Sequence, residues 1–165
     1  MAQPVELPAY ALLANYRASG AYTDCYAVRV AGYVSLAEFI EAFYTTRLFK
    51  LERWILSSLL NRPSTDEDAA QLATGMRDRF AAWKVEARSE SEILLDAGQT
   101  RSWLCVARSN GELESTQLCF GSAVLPLGAG KGFSWWFHAL LGFHRVYSRL
   151  LLSAAAQRVL VLRNR

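Results

Sequence analysis

The segment LPLGAGKGFSWWFHALLGFH, residues 125–144, decides how the rest of the chain is read. Its glycines surround Lys131, so the first question is whether they cradle a phosphate. A P-loop needs G-x-x-x-x-G-K followed by Ser or Thr, because backbone amides wrap the phosphates and the hydroxyl holds magnesium. With Gly130 and Lys131 as the GK pair, position 125 is Leu125 rather than glycine and position 132 is Gly132 rather than a hydroxyl residue. The dinucleotide pattern G-x-G-x-x-G fails as well, since Gly128 and Gly130 are followed by Phe133 where the third glycine belongs. Both motifs also sit in parallel βαβ units, whereas the strands ahead of this segment read as antiparallel. The glycines are a hinge from a strand ended by Pro126 into a helix.

Beyond the hinge an apolar period near 3.6 persists for roughly 25 residues. At about 100° per residue, Phe133, Trp136, Phe137, Leu140, Phe143, His144, Tyr147, Leu151 and Ala154 share one broad face. Ser134, His138, Arg145 and Arg149 share the opposite one. His144 and Tyr147 are thus polar groups on an apolar face, candidates to orient the polar end of a ligand, with Phe137 and Leu140 as apolar lining. His138 and His144 lie six residues and about 120° apart, whereas two ligands on one helix favour i, i+3 or i, i+4. No metal site and no cofactor is expected.

Working back from the helix, four runs read as an antiparallel meander. In FAAWKVEAR (80–88), Trp83, Val85 and Ala87 alternate with Lys84, Glu86 and Arg88, as a strand with one buried face requires. SEILLDAG (91–98), RSWLCVARS (101–109) and ELESTQLCFGSAVL (112–125) follow, and Asn110–Gly111 is the strongest hairpin signal, because a type I′ turn needs positive φ at both positions. Near the start, YTDCYAVRV (22–30) is a strand with Tyr22, Asp24, Tyr26, Val28 and Val30 on one side, and Asp24 and Tyr26 join the candidate polar anchors. Trp54, Trp83 and Trp103 read first as core, and Trp103 is also a candidate lining residue.

Helices fill the gap between that strand and the meander. Ser35 and Glu38 form a capping box ahead of Leu36, Phe39, Ile40 and Phe43; Leu48, Leu51, Ile55 and Leu59 then recur at helical spacing until Asn61 and Pro63. Ser64 and Glu67 predict a second capping box for the short acidic helix TDEDAAQLAT (65–74), closed by Gly75. The first twenty residues read as an irregular arm with one helical turn near Tyr10 to Tyr16, ending at Ser19–Gly20.

Composition fits one folded domain over residues 1–165, with 52% hydrophobic, 20% charged and 12% aromatic residues. The net charge of +3 does not call for nucleic acid as a partner, but its distribution is uneven. The last 51 residues hold Lys131, Arg145, Arg149, Arg158, Arg163 and Arg165 and no acidic residue. Cys25, Cys105 and Cys119 are odd in number and far apart, which suits reduced thiols. MAQPVELPAY has no basic n-region or apolar run, and no stretch of 18 apolar residues lacks a charge, so a soluble cytoplasmic protein is expected. No G-x-S-x-G elbow exists, and a nucleophilic pair could come only from one of the cysteines folding against His144.

Strand, helices, meander and the long helix containing FSWWFHALLGFHRVYSRLLL give an α+β order that resembles the helix-grip fold of START-like proteins. That superfamily includes polyketide cyclases, pathogenesis-related lipid binders and lipid-transfer domains. The resemblance runs from about Tyr22 to Gln157 and more narrowly is to small bacterial members without an assigned activity; the helical stretch between residues 35 and 75 is longer than the common pattern. It implies a curved antiparallel sheet wrapped around the C-terminal helix, with a pocket between them. The expected function is binding of a hydrophobic small molecule or lipid there, its polar end fixed by His144 and Tyr147 with help from Tyr26. Two alternatives accompany it. A cyclase- or hydratase-type enzyme would use His144 as general base in the same pocket, and a peripheral membrane or partner-binding protein would use the basic end QRVLVLRNR (157–165).

Overall fold

The computed structural model describes residues 1–51, 64–109, 114–126 and 135–163, with the side chains of 109 and 135–143 outside that description. In chain order it comprises β1 (Gln3–Pro4), α1 (Ala14–Ala18), β2 (Tyr22–Ala31), α2 (Leu36–Tyr44) and α3, which starts at residue 47 and is described to 51. Then come α4 (Asp66–Thr74), β3 (Arg79–Phe80), β4 (Trp83–Arg88), β5 (Glu92–Ala97), β6 (Thr100–Ser109), β7 (Ser115–Val124) and α5 (Trp135–Arg163). The strands form one sheet in the order β1-β2-β7-β6-β5-β4-β3, every neighbouring pair antiparallel. The sheet is curled and open, and α5 packs against β2, β7 and α2, so the molecule is an α+β fold of the helix-grip kind. Among the described residues, no helix is long and apolar enough to cross a membrane.

The sheet has two cores, one on each face. Strand side chains alternate, so Leu118 and Phe120 on β7, Leu104 on β6, Ile93 and Leu95 on β5 and Tyr26 and Val30 on β2 face the helices. There they meet Phe39, Ile40 and Phe43 of α2, Leu72 of α4 and Leu151, Leu152 and Val159 of α5. The intervening residues Cys119, Ala123, Trp103, Cys105, Leu94, Cys25 and Ala27 face the other way, and the N-terminal arm covers them with Leu7, Ala11 and Leu13. The arm read as irregular is therefore a structural layer: β1 pairs with the edge of β2, and the one helix of the arm is Ala14–Ala18 rather than a turn starting near Tyr10.

The capping box of α2 forms as its sequence requires, with Ser35 Oγ accepting from the Glu38 amide at 3.2 Å and Glu38 accepting from the Ser35 amide at 2.8 Å. In α4 the box moves one residue on. Thr65 is the N-cap, its Oγ1 accepting from the Asp68 amide at 3.1 Å, and Ser64 with Glu67 is not used. Both pairs offer a hydroxyl and an acid three residues later, but the Asp68 carboxylate also binds Arg77. Gly75 closes the helix at φ +77°, as read.

The run 80–88 is not one strand. Phe80 pairs with Trp83 across a two-residue turn in which Ala81 adopts φ +49°. A bulge between Val85 and Ala87 then turns Ala87 toward the arm, while Trp83 and Val85 face the helices, so these three residues do not share one side. Strands β6 and β7 pair in antiparallel register to Ser109↔Ser115, as a hairpin demands; Asn110–Gly111, the glycine segment 127–134 and the stretch 52–63, whose spacing predicts a helix, lie outside the described residues. The C-terminal helix runs 29 residues, somewhat beyond the length its periodicity predicts.

Gly121 shows how closely arm and sheet approach. A Cβ there would stand 2.9 Å from Leu13 Cδ2, 3.0 Å from the Asp24 carbonyl oxygen and 3.0 Å from Trp103 Cε3. The backbone oxygen has no freedom to retreat, so Gly121→Ala is expected to lower the unfolding free energy by about 1–3 kcal/mol. Urea denaturation followed by circular dichroism measures it; an unchanged midpoint would show that the arm does not hold this position.

Candidate functional site

The register of three adjacent strands builds the floor of the site. Asp24 on β2 lies directly opposite Ser122 on β7, and Ser122 opposite Ser102 on β6, giving a polar row on the helix-facing side. Helix α5 then sets His144 over that row. The Ser122 hydroxyl donates to Asp24 Oδ1 at 2.6 Å, the Ser122 amide donates to the same oxygen at 3.2 Å, and His144 Nε2 stands 2.8 Å from Ser122 Oγ. Asp24 Oδ2 lies 3.6 Å from His144 Nε2 and accepts from the Tyr26 hydroxyl at 3.5 Å. The Asp24 side chain is only 8% exposed, and that of His144 is 35% exposed.

Proton accounting assigns the roles. A carboxylate accepts only, so the single Ser122 proton goes to Asp24 and the Oγ lone pair receives a proton carried on His144 Nε2. In the neutral ring this leaves Nδ1 as a lone pair, and it forms no hydrogen bond among the described residues. The order Asp–Ser–His differs from a hydrolytic triad, where the carboxylate stands behind the histidine and the histidine takes the serine proton. Ser122 is therefore a relay between Asp24 and His144 rather than a primed nucleophile. Burial, and secondarily the charge of Asp24, push the Tyr26 phenol well above its ordinary range, so it remains a donor.

Beside this row lies a cavity of about 200 Å³ between the sheet, α2, the start of α3 and α5. Phe43, Tyr44, Phe49, Trp83, Phe120 and Tyr147 give it an aromatic wall, and Ser102, Ser122 and His144 supply polar edges. Phe43 lies 5.0 Å from Phe120 and Phe49 lies 5.3 Å from Trp83 between ring centroids, so the wall is itself tightly packed. Sequence reasoning found α2 and its apolar stripe but not its part in this wall.

Of the residues singled out from sequence, the fold brings Asp24, Tyr26 and His144 into one hydrogen-bonded group and places Tyr147 on the adjoining cavity. Trp103 lies elsewhere: it is fully buried on the arm side of the sheet, because its position in β6 is odd-numbered where the cavity-lining Ser102 and the helix-side core residue Leu104 are even. The side chains of Phe137 and Leu140 lie outside the described residues, as does that of His138. Cys25, Cys105 and Cys119 also face the arm, so none pairs with His144; burial pushes Cys25 and Cys105 up to about 12 and raises Cys119 as well. Among the described residues no group of three or more His, Cys, Asp or Glu side chains could hold a metal ion.

Ser122 and Ser102 were missed. The available signal was a hydroxyl at an inward position, since Leu118, Phe120 and Ser122 follow one another at a period of two. Comparison with protein-family models, with curated proteins and with solved structures gave no match in any of the three.

Proposed function

We propose that this protein is a START-like binder of a small apolar molecule, held in the cavity between sheet and α5 with its polar end at the Asp24–Ser122–His144 row. The observation that carries the reading is an aromatic cavity that meets a partly exposed, hydrogen-bonded histidine at one edge. A cavity of about 150 Å³ suffices for a benzene ring, so about 200 Å³ suits a ring-sized ligand better than a long acyl chain. His144 Nδ1 would accept a hydrogen bond from a hydroxyl or N–H on that ring.

Native mass spectrometry of freshly purified protein, followed by calorimetric titration with phenol and indole as ring-sized probes, tests this. A retained mass or saturable probe binding is expected; Ser102→Phe, which fills the cavity, should abolish it. His144→Ala should weaken it about tenfold, the value of one hydrogen bond. Absence of both retained mass and probe binding in the folded protein would overturn the proposal. A second reading, an enzyme of cyclase or hydratase type, is favoured by the same free lone pair on His144. It requires that a ligand found by mass be converted on incubation and that His144→Ala leave it bound and unchanged.

A further inference from the structure

We infer that the outer face of α5 docks onto an anionic membrane surface, through an apolar stripe and two arginines that the fold leaves facing solvent. Val146, Leu150, Leu160 and Val161 are 58%, 58%, 43% and 51% exposed. At about 100° per residue they fall within an arc of about 100° as two pairs, Val146 with Leu150 and Leu160 with Val161. The outer ends of the pairs stand about 22 Å apart along the helix, with Ser153 and the exposed Gln157 between them. Such large apolar residues gathered on one edge of one helix differ from the scattered exposure of an ordinary surface.

Arg145 and Arg149 run along one flank of the stripe, one helical turn apart, and both are exposed. Each is held by a single Nε bond, Arg145 to the Tyr22 hydroxyl at 3.2 Å and Arg149 to the Ala2 carbonyl at 3.4 Å. Neither meets a carboxylate among the described residues, so their outer nitrogens remain available to phosphate oxygens. The charge pattern also selects the occupant. The last 51 residues contain no acid, so a twofold pairing of this face with a second copy would bring arginines together with nothing on the stripe to neutralise them. An anionic bilayer supplies the opposite charge and an acyl boundary for the stripe at once. Docking by this face does not require that the cavity beneath α5 be filled.

Co-sedimentation of the full chain with vesicles of phosphatidylcholine alone, or mixed with phosphatidylglycerol, tests the inference at low and high salt. Binding is expected only to the mixed vesicles and only at low salt. Arg145→Ala with Arg149→Ala should weaken it roughly thirtyfold, from about 1 kcal/mol per basic residue at such a surface. Val146→Ser with Leu150→Ser should weaken it too; all four positions are exposed, and unchanged circular dichroism verifies that the variants fold. No binding to mixed vesicles at low salt, or equal binding by the arginine variant, overturns the inference. So does a dimer in size-exclusion chromatography that the Val146→Ser, Leu150→Ser chain no longer forms, since the stripe would then belong to a second copy.

Discussion

Trp103→Ala is expected to lower the unfolding free energy by about 5 kcal/mol, a large part of the 5–15 kcal/mol typical of a domain. Trp103 is fully buried in the core between sheet and arm. Truncation of a buried tryptophan to alanine costs about 3–5 kcal/mol through lost burial and the cavity left behind. A second effect adds to it. Trp103 Nε1 donates to Glu92 Oε2 at 2.7 Å, and the same oxygen accepts from the Leu12 amide at 2.9 Å. Glu92 is itself buried, so its carboxylate would keep one partner of two, at an added cost of about 1–3 kcal/mol. Trp103→Phe retains most of the volume and loses only the bond, and about 2 kcal/mol is expected. Urea denaturation measures both. The arm should also loosen, so limited proteolysis of Trp103→Ala should cut ahead of Gly20 before the sheet unfolds. The cavity lies across the sheet, so ligand or probe binding should persist wherever the variant is folded. A loss below about 1 kcal/mol for Trp103→Ala would show that the arm-side core carries little of the stability.

Most of the fold could be read from local chemistry. The strand β7, the Ser35 capping box and the helix α5 each depend on neighbours a few residues away, and all three stand where the sequence puts them. Burial on the described part of α5 nevertheless centres on Ser148, Leu151, Leu152, Ala155 and Val159, while His144, Tyr147 and Ala154 are half-buried. The misplaced details are choices between near-equal local options. Two hydroxyl–acid pairs compete for the start of α4, and the ion pair from Arg77 to Asp68 accompanies the second. A bulge after Val85 sends Ala87 to the other face, and no residue type in WKVEAR announces it. The arm was unreadable for a different reason. Leu7, Ala11 and Leu13 follow no single period, because they fit a surface made by β2, β5, β6 and β7 rather than a regular element of their own.

The site was legible to the extent that a polar residue stood on an apolar face. His144 and Asp24 stand out on that test, each on its own element. Their meeting depends on the pairing Asp24↔Ser122, a register between strands 98 residues apart, which no local pattern encodes. Trp103 reads first as core, and it is core. Only its second reading as a lining residue fails, because in β6 one step of sequence exchanges one face of the sheet for the other, and an aromatic residue is equally welcome in either core.

Stability should fall steeply as pH rises above about 9, and the three thiols are the reason. Cys25 and Cys105 are pushed up to about 12 and Cys119 is raised, in each case chiefly by burial. Cys105 and Cys119 are direct cross-strand neighbours, and ionising either places charge beside the other and near Glu92. The folded chain therefore keeps its thiol protons at a pH where the unfolded chain, with ordinary values near 8.5, sheds them. Below about pH 8 both states are protonated and the thiols leave stability unaffected by pH. Above that, the unfolded state binds fewer protons, and each thiol removes about 1.4 kcal/mol per pH unit until its folded value is reached. With Cys25 and Cys105 alone the slope is about 3 kcal/mol per unit, enough to unfold the domain near pH 11. Urea midpoints between pH 7 and 10.5 give the slope, and the chain with all three cysteines replaced by alanine should show a clearly flatter one whatever its stability at pH 7. Iodoacetamide at pH 8 should label none of the three in the native protein and all three in urea, since the thiols are both buried and protonated. Equal slopes for the two chains, or rapid native labelling, would mean that this face of the sheet opens to solvent, and that Leu7, Ala11 and Leu13 do not seal it.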